Sequence, residues 1–559
     1  MSKKDQGQQE LNDLMATYQS TGISRRDFLR NALLLGMSLP MATLFLANAS
    51  PALAKAAGQS TAPVKGGTFI EGYDRDFQPV EPISPGWDDP TLVAVYEYPL
   101  IRDPNGKPVP MVAESWTVAP DGLTWTFKIR DGLKFQSGAP CTNAQILQNY
   151  KAFADDKLGQ NAVFWASIAS MDVGPGNTVV VKMKTPFAAF PETLATENSM
   201  ICNMDARNKD PKTFGTTTAD GTGPFTLVKY APGDQVLVKR WDAYPGSIVP
   251  FVQNKGSAYL DQIKWVPILE TANRANELTS GGVDAIKNPS PQDAAGLESN
   301  PNLATVEFPG QANFFITLNQ TKKELGFNDI KVRQAISHAI DRDGIAKSVF
   351  FGKAVGTPGP IAKNFHWYDA GVEKFNQFDP ALAKKMLDDA GWKAGSDGIR
   401  AKDGKKLSFT VAIQTDLSHD VLASQAVTAM LADVGVEMKV KRVPAADIVK
   451  ERGSNDAFGL EWLWSAQVDV LVFFLGIPSL EATGDDKDLE AVFKAYQSAK
   501  DNTELEAAAR KAQLLWAERL PTIPIVTVDY IWAFNKKVHG WTPNQAMLYP
   551  LYNDVWKEV

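Results

Sequence analysis

Residues 111–135 read MVAESWTVAPDGLTWTFKIRDGLKF, and the reading of the whole chain turns on this stretch. Two short alternating runs, 115–118 and 124–129, flank Pro120-Asp121-Gly122. Proline pre-sets φ at the first turn position and glycine accepts a positive φ at the next bend, so the segment predicts a β-hairpin. Asp131-Gly132 then turns the chain back toward Leu133-Lys134-Phe135. By itself this is an ordinary sheet element.

Outward from the hairpin the pattern alternates between strand and helix. Residues 93–100 form a helix-like run. Residues 142–154 form an amphipathic helix, with Ile146, Leu147, Tyr150 and Phe153 at helical spacing. A strand follows at 178–184, and a block runs through 227–230 and 236–240. The block comes after Gly221-Thr222-Gly223-Pro224-Phe225, which lacks the Lys-Ser/Thr of a phosphate loop and loses a backbone donor to Pro224. Residues 313–318, NFFITL, make a continuous apolar strand. Residues 329–339, DIKVRQAISHA, place Ile330, Val332, Ile336 and then Ile340 on one stripe of a helix. Another helix starts at Asp379-Pro380 and stops at Gly391. Thr503 and Glu506 predict a capping box for a helix reaching Leu520. Such alternation predicts α/β lobes.

A chain of 559 residues predicts two or three domains. Its 44% hydrophobic and 22% charged residues are ordinary globular values. A net charge of −7, with no basic stripe, argues against a nucleic-acid partner. Residues 1–54 stand apart. Ser24-Arg25-Arg26-Asp27-Phe28-Leu29-Arg30 precedes an apolar run at 32–47 that Gly36 and Pro40 interrupt, and Ala52-Leu53-Ala54 resembles a cleavage site. The run falls short of the ~20 apolar residues that a membrane span needs. The paired arginines resemble a twin-arginine export signal, which implies a mature chain from about Lys55. No cysteine follows to carry a lipid, so a soluble periplasmic protein is expected. Cys141 and Cys202 stand in no motif that demands a disulfide, and Cys141 reads as a small buried hydrophobe.

The string 111–135, the block 329–339 and the Gly221–Phe225 turn together resemble the solute-binding proteins of peptide/nickel-type ABC importers (extracellular solute-binding family 5). The resemblance runs from about Lys65 to the C-terminus. It implies the large, cluster C type of two-lobed periplasmic binding protein fold, α/β, with an extra small subdomain in the first lobe and hinge strands between lobes. The implied boundaries are residues 55–98, 199–310 and 526–559 for the main part of lobe I, 99–198 for its small subdomain and 311–525 for lobe II. Residues 313–318 and 523–528 would cross between lobes. The loop 244–258 is longer than in relatives and has no assignment. A monomer is expected, working with an inner-membrane ABC permease on a small solute, peptide or oligosaccharide-like.

No catalytic constellation competes strongly. His338, His366, His419 and His539 share no metal-ligand spacing, and no nucleophile elbow or dinucleotide loop occurs. No metal or other cofactor is expected. An exported hydrolase would need two carboxylates converging in a cleft, and a periplasmic chaperone is a third class. For solute binding, the proline-rich loop 79–90 offers Trp87 and Asp88. The segment 461–469 offers Trp462, Trp464, Ser465 and Gln467. Relatives carry W-x-x-D here, so the resemblance makes Trp464 the pocket-lining aromatic and puts Gln467 where the family has its acid. A glutamine lacks the charge that pairs with a peptide's ammonium, which opens a neutral, hydroxyl-rich ligand as the alternative. Asp469, Glu461 or Asp88 could supply the missing charge instead.

Overall fold

The computed structural model describes residues 62–83, 89–104, 106–155, 165–196, 199–363, 368–414, 418–443, 456–462, 486–542 and 549–558. In the first lobe, β1 (Thr68–Tyr73) leads into a loop whose Phe77, Val80 and Ile83 are buried. A short helix, α1 (Pro90–Val95), follows. Its start differs from the expected 93–100 run. The Asp89 carboxylate caps the free N–H groups of Thr91 and Leu92, Pro90 sits in the first turn, and Tyr96 is already extended.

The hairpin is β2 (Ala113–Val118) and β3 (Thr124–Ile129), with Gly122 at φ +71°. Helix α2 (Asn143–Ala154) covers one side of the small sheet that β4 (Ile168–Gly174) and β5 (Thr178–Met183) complete in the order β2-β3-β5-β4. Its Ile146, Tyr150 and Phe153 are buried with Phe127 and Val181. Cys141 and Cys202 are both buried free thiols. Burial pushes the Cys141 thiol up to about 12, as suits a small hydrophobe. The chain returns through Gly221 and Gly223, where backbone passes against backbone. A Cβ on Gly221 would lie 2.1 Å from the Val95 carbonyl oxygen, so only glycine fits.

β6 (Phe225–Ala231) and β7 (Gln235–Arg240) form an antiparallel pair that β8 (Gln262–Pro267) extends. The loop 244–258 is held at both ends. Tyr244 Oη donates to Glu97 Oε1 at 2.7 Å, and Arg130 bridges Glu97 (2.6 Å) and the Gly246 carbonyl (2.5 Å). At its far end the Asn254 N–H donates to Asp554 at 2.6 Å. Helix α3 (Thr271–Ser280), strand β9 (Ala285–Lys287) and helix α4 (Pro291–Ser299) complete this half.

β10 (Leu303–Leu318) then leads into the second half of the chain, where α5 (Ile330–His338), α6 (Arg342–Ser348) and the short β11 (Ala354–Gly356) follow. Next come α7 (Pro380–Asp389), β12 (Ser408–Gln414), α8 (Ser418–Asp433), β13 (Glu437–Val443) and β14 (Ala457–Trp462). Two helices, α9 (Lys487–Gln497) and α10 (Asn502–Arg519), precede β15 (Ile523–Asn535), which returns. The expected capping box on α10 is displaced. Asp501 caps Thr503 and Glu504, and Glu504 reaches back to the Lys500 N–H at 3.0 Å. An ionised carboxylate facing free N–H groups is a stronger acceptor than a hydroxyl, so Asp501 takes the role that Thr503 was expected to play.

One sheet runs through both halves in the order β13-β12-β14-β10-β15-β9-β1-β8-β7-β6, with β11 also on β15. β15 explains the continuity. Its first half pairs with β11 and β10, and its second half with β9 and β10. The β10–β15 ladder breaks between Phe308 and Ala312, at Pro309-Gly310, because Pro309 has no N–H to donate. Beside the break, Thr527 Oγ1 donates to Asn313 Oδ1 at 2.9 Å and Asn313 Nδ2 to the Pro360 carbonyl at 2.5 Å. Helices α5, α7 and α8 bury Val332, Ile336, Leu387 and Val427 in a second hydrophobic cluster beside this sheet. Residues 64–559 form one compact unit, and among the described residues no helix is long and apolar enough to cross a membrane.

Candidate functional site

Side chains alternate across β1. Phe69, Glu71 and Tyr73 point to the face that carries Trp541 and Tyr552, while Gly72 packs beneath Ile268 and Ile286. The parallel strands β1 and β9 both end facing the middle of β15, where the Asn288 N–H donates to the Ile531 carbonyl at 2.8 Å. Ligands of open α/β sheets bind beyond such strand ends. A groove of about 70 Å³ lies here, walled by Asp74, Arg274 and Asn288 on one side and by Phe350, Val528 and Tyr530 on the other.

Lys287, the last residue of β9, is fully buried at this edge. Its Nζ donates to Tyr73 Oη at 3.1 Å and lies 3.9 Å from Asp74 Oδ1. Four rings surround it, those of Tyr73 (4.8 Å), Tyr530 (5.2 Å), Tyr549 (5.6 Å) and Trp532 (5.8 Å). Ring quadrupoles and one carboxylate replace the water that the ammonium has lost.

Asp74 holds the cluster together. Burial alone would raise its pKa, but Lys287, Arg75 and Arg274 together with the Asn288 hydrogen bond (2.9 Å) keep its carboxyl well below the usual range. Arg274 spends its donors on the carbonyls of Lys287, Ile268, Leu269 and Asn288, and so ties the segments after β8 and β9 into one rim. Deeper in, Glu71 Oε2 accepts from Tyr552 Oη at 2.8 Å and from Trp265 Nε1 at 3.0 Å, while Oε1 has no partner among the described residues. Complete burial pushes Glu71 up to about 7 against those two hydrogen bonds. The arrangement is rigid, aromatic and charged, which suits holding a polar solute.

Of the residues chosen from sequence, the structure describes the backbone of Trp462 alone. Trp462 ends β14, its backbone paired with Asn313 on β10, so it stands at the crossing. Its side chain, together with Trp87, Asp88, Trp464, Ser465 and Gln467, lies outside the described residues. Asp89, beside the proline-rich loop, is a buried helix cap. His338 and His539 meet a backbone carbonyl and Glu558 respectively. The ring of His419 and all of His366 fall outside the description. Among the described residues no three metal-capable side chains converge. Tyr73, Asp74, Arg75 and Lys287 went unnoticed in the sequence. The run Tyr73-Asp74-Arg75-Asp76 at the end of the first strand was the available signal, because charge placed there faces a cleft.

Comparison with known proteins agrees with this architecture. The family model for bacterial extracellular solute-binding proteins, family 5 (middle), matches residues 107–474. The glutathione-binding protein GsiB of Salmonella paratyphi A is 27% identical over 458 residues, covering 78% of this chain and 84% of its own. GsiB of Pectobacterium atrosepticum is 29% identical over 354 residues, covering 62% and 63%. Among solved structures, the oligopeptide-binding protein AppA of Bacillus subtilis with a nonapeptide superposes with a TM-score of 0.78 at 20% identity. The match covers 89% of this chain and 100% of that one. NikA of Brucella suis with Fe(III)-EDTA gives a TM-score of 0.75 at 23% identity, covering 88% and 100%. The chain belongs to the bacterial extracellular solute-binding proteins of family 5, the substrate-binding components of ABC importers.

Proposed function

We propose that this chain is a soluble periplasmic receptor that captures a small peptide-type solute between its lobes and hands it to an inner-membrane ABC permease without altering it. The observation that carries this reading is the pair of crossing strands, β10 and β15, whose ladder breaks at Pro309-Gly310 beside a charged aromatic cluster. Such a joint absorbs a hinge motion, and a solute with higher affinity for the closed form shifts the equilibrium toward closure. The lobe boundaries at 99, 199, 311 and 526 are part of the proposal, as are the pocket roles of Trp87, Asp88, Trp462, Trp464, Ser465 and Gln467. Glutathione and short peptides are the first solutes to try, because similar proteins carry those names.

Calorimetry against glutathione, di- and tripeptides, their N-acetylated forms and a panel of oligosaccharides tests the reading. Binding of one peptide-type solute with no product formed supports it, whereas steady consumption of the solute would point to the hydrolase. A neutral oligosaccharide ligand is the second reading, favoured by Gln467 at the position of the family's acid. Tight binding of free peptides that N-acetylation abolishes would sink the argument from Gln467.

Export by the twin-arginine route belongs to the same proposal and rests on residues 24–30. Replacing Arg25 and Arg26 together by lysine should hold the precursor in the cytoplasm. Normal periplasmic accumulation of that variant would refute the route.

A further inference from the structure

Lys353 ties together the parts of the joint between the crossing strands. β15 lies between β11 and β10, since its residues 526–528 pair with both. On the β10 side the ladder holds at Glu307–Ile531 and resumes at Ala312–Val528, so Asp529 stands opposite the break. On the other side the Asp529 N–H donates to the Lys353 carbonyl at 3.1 Å. The Lys353 side chain reaches past β15, where its Nζ donates to Glu307 Oε2 on β10 at 2.6 Å and to Glu298 Oε1 on α4 at 3.3 Å. One residue of the segment after α6 is thereby fixed to β15 at the break, and to β10 and α4 ahead of it.

The chain is bent to put it there. After α6, Phe351 (φ +52°) and Gly352 (φ +81°) both take left-handed backbone, and the Lys353 N–H donates to the Phe350 carbonyl at 2.8 Å. A phenylalanine in that region is strained, and at 63% exposure it gains little burial in return. Such strain persists where the contacts on either side over-determine the turn. Partial burial alone would lower the Lys353 pKa, but Glu307 and Glu298 hold its ammonium above the ordinary lysine value. The three side chains are 24%, 33% and 42% exposed, and pairs of that kind add little to folding stability. Their effect is on geometry. Two strands joined through a broken ladder can bend and twist about several axes. A bridge placed at the break moves little during rotation, because displacement grows with distance from the axis. It is kept during opening, while a distant contact such as Ala188–Ala499 separates.

We propose that Lys353, held by Glu307 and Glu298, is a clamp on the joint that restricts the two lobes to one hinge axis. The inference rests on the receptor reading and its lobe boundaries above, and adds the device that sets the path of closure.

The test is the distribution of distances between two spin labels in the solute-free protein, read by double electron–electron resonance. The labels go on Lys239→Cys in β7 and Lys384→Cys in α7, both exposed, while the native Cys141 and Cys202 are buried. This labelled pair is combined with Lys353→Met, Lys353→Arg and Glu307→Gln, with thermal melts to establish that each variant folds. Lys353→Met should broaden the distribution roughly 1.5- to 2-fold, Glu307→Gln should broaden it less, and Lys353→Arg should keep the wild-type width. Raising NaCl from about 0.05 M to about 0.5 M should broaden the wild type and leave Lys353→Met unchanged, because partly exposed pairs are screened. If Lys353→Met does not fold, Glu307→Gln decides alone, and a wild-type width in it overturns the proposal. Equal widths in all four proteins also overturn it. So does a shifted distance of unchanged width, which would mean that the pair selects one form and sets no axis. None of these outcomes touches the receptor reading, because no solute is present, and calorimetry decides that reading separately.

Discussion

Glu71 is a carboxyl group whose burial costs more than its hydrogen bonds return. Two donors, from Tyr552 and Trp265, share one oxygen, and the other meets no donor among the described residues. Its pKa is therefore raised from 4.5 to about 7. The sign follows from linkage. Between these values the folded state holds the proton more tightly than the unfolded chain, so Glu71's contribution is full below about pH 4.5. It fades as pH rises through 7, by a total of about 3 kcal/mol. Glu71→Gln keeps a carbonyl acceptor for both donors and removes the titration. The variant should match the wild type in urea unfolding at pH 5 and exceed it by about 2–3 kcal/mol at pH 8. An identical difference at both pH values would show that Glu71 is ionised throughout.

Elements in this chain end where their local chemistry says, though not always at the residue that pattern alone suggests. Helix α10 starts on Asp501, not on Thr503. Asp501→Ala should therefore cost about 0.5–2 kcal/mol in thermal or urea unfolding, and Thr503→Ala should cost little. The reverse order would restore the Thr503 cap. The 244–258 loop follows the same logic on a larger scale. Nothing in its sequence announces a structural role, yet Tyr244 completes a buried Arg130–Glu97 ion pair. Cysteine placement is another case, since Cys202 is locked by the Asn149 side chain, which accepts from its backbone N–H at 3.0 Å. The helix at 90–95 departs from the expected run because a cap and a first-turn proline outweigh hydrophobic spacing.

The α9–α10 pair is the far contact between the halves of the molecule. The Ala188 N–H, beside the small sheet, donates to the Ala499 carbonyl between these helices at 2.9 Å. Val492, Tyr496 and Trp516 lie in the same buried cluster as Phe127 and Phe190. On the proposed boundaries, which put α9 and α10 in the second lobe, opening at β10 and β15 must break this contact. Hydrogen exchange at Ala188 should then be fast without solute and slow at saturation. Solute at 100-fold its dissociation constant should also add about 2.7 kcal/mol of apparent stability. Equal exchange in both states would mean that α9–α10 stays on the first lobe and that closure happens elsewhere.

Much of this molecule was written locally. Turn residues such as Pro120-Asp121-Gly122, the apolar spacing of 142–154 and the Asp379-Pro380 start need only near neighbours to act, so strands and helices were legible in order. The α/β alternation and the family-specific blocks at 111–135 and 329–339 carried the two-lobed fold with them. Tertiary structure alone decided what converges. Asp74 and Lys287 are more than two hundred residues apart in sequence and meet because β1 and β9 are neighbours in one sheet. Tyr530 and Trp532 join them only because β15 returns through the crossing. A charge becomes a binding group when its surroundings remove water and withhold partners, and that environment is assembled by long-range pairing, which no local pattern encodes.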